Sequence, residues 1–546
     1  KCEKKRVNKR KTKIIMGGKR MRLKVKGKIV LDYSWKKLIY TLCFAMFCLI
    51  DQRSKTCSGL DGWLETFRSL TGVVMAIIIM SHYRWDSLRK HKIPYLVWTA
   101  ISIVGGVVAL WWGKNNYYFF NDWIVRVIDV ILFGYIIIYT FIRVVIEKKY
   151  PKLNKKFAIV WLIMMLLMIV SRSTYIWPFG YFVMFGCFYL TDYSKEEQTD
   201  LFQGMLNGII LGFFLMQGWC FVFRPFDNWD YRYVGIYNNC NLNALFYLMV
   251  LAAVFAKIIY VNRIGAGKLI RVYYWVGAGV VLSFLFLTIG RTAWMTAFVL
   301  GIIFLISLRL VQRKKRIILN GIILILCMCL TFPMCFGAVR YLPPVFHHPV
   351  WFWGEWSDNK VHSWDPADSS KYVDFDEFMD RVGFGFSSIL GHSPFAIKSQ
   401  AAEASVDDRY ERAIFKEKGI PSALVARKTI YQQYFKNLNL WGHPYEEQGF
   451  QMTPTYWVGH AHNIYLQYGT DFGIVVMFLF ILLILWAAII YIKRVWKKCF
   501  EEDVASLLFL TIPATFGMLE YAWGVGSVAI LMLFVVWRKA FLDEER

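Results

Sequence analysis

Charge is what this chain has little of. Only 19% of its 546 residues are charged, whereas a soluble protein carries about a quarter, and the shortage excludes a cytosolic multidomain enzyme and a disordered chain. Acidic residues are the scarcer sign, 38 against 64 Lys and Arg. None of the 11 cysteines falls in the largest polar stretch, residues 339–460, which excludes a secreted disulfide scaffold. The one glycine-rich basic stretch, Gly265-Ala266-Gly267-Lys268, is too short for a P-loop, so no NTP motor is visible. A net charge of +26 invites nucleic acid, but no helix-turn-helix, zinc-finger or RNA-binding signature accompanies it. No internal repeat of the kind found in inverted-repeat transporters is present either.

What the chain does have is apolar length. Hydrophobic residues make up 57% and aromatic ones 18%. Runs near the roughly 20 residues that cross a bilayer recur from Leu38 to Val536. The pattern predicts an all-α polytopic membrane protein with about fourteen transmembrane helices. The first six segments are 38–50, 66–83, 93–113, 123–146, 157–172 and 179–190; the rest are 201–223, 242–261, 272–290, 292–310, 317–338, 464–492, 504–519 and 524–537. Residues 272–310 count as two spans, because one helix of that length would run to roughly 58 Å, about twice the hydrocarbon thickness. The hairpin 157–190 is short, and reads as either crossing or re-entrant.

Basic residues orient this path. Sixteen Lys and Arg lie in residues 1–37, beside only Glu3 and Asp32, directly before the first apolar run. With that tail cytoplasmic, the inner segments hold roughly 40 Lys and Arg and the short outer ones fewer than ten. The expected organisation is a basic cytoplasmic tail 1–37, a membrane domain 38–338, an extracytoplasmic cap loop 339–460, last spans within 461–537 and a cytoplasmic tail 538–546. The cap holds six of the nine histidines and is large enough for a small, mostly helical unit.

Four polar groups on the outer face need a reason. After the seventh span come Arg224, Arg232, Gly235, Asn239 and Asn241. Two readings fit: an interfacial loop whose arginines touch headgroups and whose asparagines cap the next helix, or an anion site made from a guanidinium fork and a helix N-terminus. Arg291 stands at the tip of the 272–310 hairpin, and with a second outer arginine it suggests cations converging on one dianion. By contrast Arg126, three residues before Asp129, reads as a self-neutralising pair within a span. Arg427 opens a helical stretch of the cap. His460, His462 and Asn463 close the cap and lead into the twelfth span. The His-x-His pair lacks the further ligands a metal needs, and Asp374, Asp376 and Glu377 read as a solvated acidic face or a divalent-ion cluster.

Three of these motifs together resemble the O-antigen ligase and polymerase superfamily, integral membrane glycosyltransferases of the Wzy and WaaL types. His462-Asn463, Leu466 and Gly473 fit its terminal motif. Arg232, Gly235, Asn239 and Asn241 fit its Arg-x-x-Gly and Asn-Pro-Asn, with Cys240 in place of Pro. Leu287-Thr288-Ile289-Gly290-Arg291-Thr292 fits its Leu-Thr-x-Ser-Arg-Thr, with Gly for Ser. The likeness covers roughly residues 200–500.

The resemblance implies a GT-C-like fold in a bacterial cytoplasmic membrane. It also implies an inverting transfer from an undecaprenyl-diphosphate-linked glycan donor, with neither cofactor nor metal. The expected activity is polymerisation of lipid-linked repeat units on the outer face. Ligation to a lipid or protein acceptor, or transport of the lipid-linked glycan, are the alternatives. The acceptor would be a glycan or a lipid-linked glycan, with a chain-length regulator and a flippase as pathway partners and no nucleic acid. His462, Arg291 and Arg232 are the expected catalytic residues: the arginines face the leaving diphosphate and His462 is the base. Arg224, Arg427, Asn239, Asn241 and Asn463 are expected to bind substrate.

Overall fold

The computed structural model describes residues 12–17, 20–25, 28–50, 61–116, 120–173, 176–224, 226, 231–237, 239–312, 316–346, 373–390, 423–444, 447–454, 456–521 and 528–542. Residues 347–372 and 391–422 of the expected cap, and 1–11 of the basic tail, lie outside that set.

Among the described residues, each of the fourteen apolar segments is helical over most of its length. The first seven helical segments are α1 (Trp35–Ile50), α2 (Asp61–Met80), the short α3 (Trp85–Lys90), α4 (Lys92–Asn116), α5 (Phe120–Phe141), α6 (Lys155–Val170) and α7 (Ile176–Leu190). Then come α8 (Lys195–Phe223), α9 (Cys240–Arg263), α10 (Lys268–Leu287), α11 (Arg291–Gln312) and α12 (Ile317–Phe346). The polar stretch supplies α13 (Phe375–Leu390) and α14 (Ala423–Lys436), and the chain closes with α15 (Ile464–Phe472), α16 (Ile474–Lys498), α17 (Glu501–Thr515) and α18 (Val528–Phe541). Eight of these, α4, α5, α8 to α12 and α16, are long and apolar enough to cross a membrane. The chain is an all-α polytopic membrane protein. Two small antiparallel sheets stand outside the bundle, β1 to β3 (Thr12–Gly17, Arg20–Val25, Lys28–Ser34) in the tail and β4–β5 (Phe450–Thr453, Tyr456–Val458) before α15.

Helix α9 is the centre of the bundle. Its apolar window is 94% buried, as expected of a helix that is hydrophobic all round and surrounded by others. Helix α4 is the opposite case: none of its window is buried, and it leans on α5 with the rest of its surface toward lipid. Small residues decide the closest contact. Gly204, Gly208 and Gly212 form a seam along α8, and a Cβ on Gly204 or Gly208 would stand 2.5 Å from Tyr40 Cβ or the Thr41 carbonyl of α1. In a bilayer such spacing lets two backbones approach where large side chains would hold them apart.

The two ends of the bundle separate the loops. At one end Lys36 and Arg84 pair with Glu197, Arg263 with Glu501, and Lys539 with Glu502. At the other, Tyr233 N bonds to Leu287 O, Phe226 N to Val339 O, and Arg172 N to Trp441 O. These pairings join segments that the charge pattern assigns to the same face. They also decide how far the α6–α7 hairpin reaches: Asn154 N bonds to Phe541 O at the first end and Arg172 N to Trp441 O at the second.

Three expectations need correction. Helix α12 runs on to Phe346 rather than stopping at 338, carrying Pro343 and Pro344 in its last turns. The expected span 464–492 is two helices, because Gly473 sits at φ 101°, a conformation side chains disfavour, and a Cβ there would meet the Leu440 carbonyl at 2.1 Å. The cap loop fills the break, with Asn439 O accepting from Ile474 N at 2.8 Å. Arg126 makes its ion pair at 2.6 Å with Asp122, at i−4, and acts on Asp129 through its charge; Asp129 packs onto Gly72 of α2, which has no Cβ to exclude it.

Candidate active site

The segment after α8 is held by backbone geometry. Arg224 ends α8, is 1% exposed, and its Nε donates to Gly235 O at 3.0 Å. Gly235 has φ 53°, and a Cβ there would lie 2.7 Å from Asn243 Nδ2, so both conformation and space call for glycine. This explains the Arg-x-x-Gly spacing: the loop turns back at Gly235 and presents Arg232. Arg232 Nε donates to Thr288 O at 3.0 Å and Nη2 to Asn241 Oδ1 at 2.9 Å. Asn239 is the N-cap of α9, accepting from Asn241 N at 2.9 Å and Leu242 N at 3.2 Å.

The turn between α10 and α11 meets that loop. Thr288 Oγ1 donates to Leu285 O at 2.7 Å, and Gly290 O accepts from Trp294 N at 2.9 Å. Ile289 between them has φ 47°, an outlier for a β-branched residue. Arg291 opens α11 immediately beyond and is half-buried. Helix α11 packs along α17 and reaches the Phe516–Met518 turn. The two helices run antiparallel, since Cys499 before α17 lies against Ser307 near the far end of α11. Arg291 therefore sits at the same end as the segment that follows Met518.

That segment carries Glu520, which is buried. Arg427 of α14 places Nη2 2.7 Å from Glu520 Oε1. His462 places Nδ1 3.6 Å from Glu520 Oε2, an ion-pair distance longer than a hydrogen bond. Burial alone would raise the Glu520 carboxyl, but His462, Arg427 and Arg232 together outweigh it and hold the group below its ordinary value of 4.5. The same influence places Arg232 in the field of this carboxylate. His462 itself has φ 47°, and its Nε2 makes no hydrogen bond among the described residues. The backbone around it is tied down: Tyr431 Oη shares its proton between His462 O at 3.1 Å and Met518 O at 3.2 Å. Asn463 caps α15 through Tyr465 N and Leu466 N, and its Nδ2 donates to Met518 O at 2.8 Å.

Five described non-glycine residues have positive φ, and three of them, Tyr231, Ile289 and His462, adjoin or are the expected site residues. Strain of this kind persists only where the surroundings fix it, and it concentrates at functional sites. Arg232, Asn241, Arg427, His462 and Asn463 thus meet around one end of the bundle, with Arg291 beside Arg232 through the Thr288 turn. Arg224 lies beneath, acting on the loop rather than on an open surface. Asn239 and Asn463 serve as helix caps. Asp374 pairs with Arg340 at 3.4 Å and its backbone N–H donates to Glu377 Oε2 at 3.1 Å, so the acids close the start of α13. Among the described residues no three His, Cys, Asp or Glu side chains are grouped as metal ligands.

Glu520 was not expected. Its signal lay in the sequence nonetheless, for it is the single charged residue between Asp503 and Arg538, and an ionisable group in such an apolar stretch marks a functional position by default. No family model, curated protein or solved structure matches the chain.

Proposed function

We propose that this protein is an inverting glycosyltransferase of the bacterial cytoplasmic membrane that polymerises undecaprenyl-diphosphate-linked oligosaccharide repeat units on the outer face. The observation that carries the reading is the meeting of Arg427 and His462 at Glu520, with Arg232 in the field of that carboxylate and Arg291 joined to Arg232 through the Arg232–Thr288 bond. The resemblance of these motifs to the O-antigen ligase and polymerase superfamily supports the same reading. All fourteen helical segments would cross the membrane in a GT-C-like arrangement, with both termini cytoplasmic and the site outside, as the distribution of Lys and Arg favours.

In this mechanism the acceptor hydroxyl oxygen attacks the anomeric carbon while the bond from that carbon to the diphosphate oxygen breaks. His462 Nε2 takes the hydroxyl proton, and the electron pair leaves with the diphosphate. Negative charge grows on the leaving group, where fixed guanidiniums stabilise it more in the transition state than in the ground state. Arg232 and Arg291 fill that role, assisted by Arg427. Arg224 keeps the Gly235 turn in place. The acceptor is a second lipid-linked glycan, and a flippase and a chain-length regulator complete the pathway.

The test is reconstitution. Purified protein in proteoliposomes, given the lipid-linked repeat unit alone, should produce a ladder of longer lipid-linked glycans. Product that forms only when a different lipid or a protein acceptor is added would make it a ligase. Movement of the substrate between leaflets without any new glycosidic bond would make it a transporter.

A further inference from the structure

The charge at Glu520 deepens that reading. The carboxylate has one oxygen on Arg427 and the other facing His462 Nδ1. His462 Nε2 is left without a hydrogen bond, and the ring is 28% exposed. A histidine so placed has one nitrogen facing an anion and the other facing outward. The anion favours the tautomer with its proton on Nδ1, which leaves the Nε2 lone pair free to accept a proton. It also stabilises the imidazolium that results.

We infer that Glu520 is a positioning residue for the transfer. It fixes the tautomer of His462, holds its positive charge after proton abstraction, and ties the base to the phosphate-binding Arg427. The inference rests on the proposed transferase reading for its catalytic meaning, but the pairing itself can be measured without turnover. Among the described residues Glu520 is the carboxylate paired with His462. His462 also touches His460, at 4.1 Å between ring centroids, and His460 lies 5.9 Å from the Tyr521 ring. Arg427 and Arg232 are the cations near Glu520, and Tyr431 Oη meets the His462 carbonyl, not its ring. The 3.6 Å gap is open by less than 1 Å relative to a hydrogen bond, and such contacts are often long before substrate arrives.

The experiment uses the full-length protein in detergent or nanodiscs. The protonated ring nitrogen of His462 is identified by 15N NMR of histidine-labelled protein in wild type, Glu520→Gln and Glu520→Asp. In parallel, donor affinity and single-turnover rate are measured for each. Glu520→Gln keeps the size of the side chain and an oxygen for Arg427, so it tests charge rather than packing. The proton should sit on Nδ1 in wild type and Glu520→Asp and move towards Nε2 in Glu520→Gln. The single-turnover rate of Glu520→Gln should drop about 100-fold with donor affinity close to wild type. An unchanged tautomer in Glu520→Gln overturns the inference, as does a rate loss accompanied by an equal loss of donor affinity, because a merely structural residue would give that result. A changed tautomer in a protein that forms no glycosidic bond with any lipid-linked glycan leaves the pairing standing and removes the transferase reading.

Discussion

Arg232 Nε and Thr288 O, 3.0 Å apart, join two loops that are separated by the whole of α9 and α10. The guanidinium uses one edge to hold the hairpin that presents Arg291 and another to meet Asn241. Replacing Arg232 by Lys keeps the charge but supplies one point donor in place of a planar fork. Arg232→Lys should recover little of the turnover that Arg232→Ala loses, and Arg291→Lys should behave likewise. Both alanine variants should also weaken donor binding, as measured by titration of lipid-linked glycan.

His462→Ala should separate from the arginines. Donor affinity should stay close to wild type while single-turnover rate falls by about 100-fold to 10,000-fold, the usual range for loss of a general base. If donor affinity falls as far as in Arg291→Ala, His462 is a phosphate contact. If turnover is normal, it is only part of the turn before α15.

The acid behaviour of the folded protein follows from Glu520. Its folded pKa lies below the ordinary 4.5, so its ionised form contributes stability that is present above the ordinary carboxylate range and lost as pH falls through the folded value. Wild type should therefore exceed Glu520→Gln in thermal stability at neutral pH. The difference should shrink only below about pH 4.5. Thermal melts of both proteins across pH 3 to 7 check this, and a gap that narrows as pH falls from 7 to 6 would assign the effect to another group.

Orientation has its own test. Lys436, exposed at the end of α14, is replaced by Cys in a cysteine-free background and should react with an impermeant maleimide in intact cells. Lys90, exposed at the opposite end, should label as Cys only after permeabilisation. The reverse pattern would put the site in the cytoplasm.

The glycine seam predicts a packing defect. Gly208→Ala places a methyl 2.5 Å from the Thr41 carbonyl, so one of the two helix backbones must shift. The substitution should cost about 1 to 3 kcal/mol, the usual range for overpacking. Gly218, with nothing within 4 Å of its Cβ position, serves as the control, and both are compared by thermal melting in detergent.

The helices were legible in the sequence because a bilayer enforces long apolar runs, and fourteen of them are helical. Arg232, Arg291, Arg427 and His462 stand out in the sequence through their polar segments and motifs, and the structure places Arg427 and His462 beside Glu520. The break at Gly473 was not legible, since hydropathy runs unchanged across it and only the approach of Leu440 reveals why the helix parts. Helix α12 outruns its expected end because residues 339–346 carry Arg340 and two prolines and so lack the unbroken apolar run that marks a span. Pairing escaped as well: Arg126 has acids on both sides, and spacing alone does not choose Asp122 over Asp129. Glu520 was overlooked because a single acid between two helices looks like an ordinary loop residue until its partners, 58 and 93 positions away, are brought beside it.

Those distances along the chain set an order of assembly. From Arg232 to Glu520 a ribosome needs roughly 15 to 60 s, during which the first arginine is already in the membrane and the carboxylate that will face it has not been made. The bond to Thr288 can form early, because α9 and α10 are all that must be inserted first. The contacts to Glu520 wait until α17 has been made and has packed along α11. A nascent chain thus acquires its cations before its base and its anion. Translation that stalls before α17 leaves a membrane protein whose candidate site stays incomplete until the rest of the chain arrives.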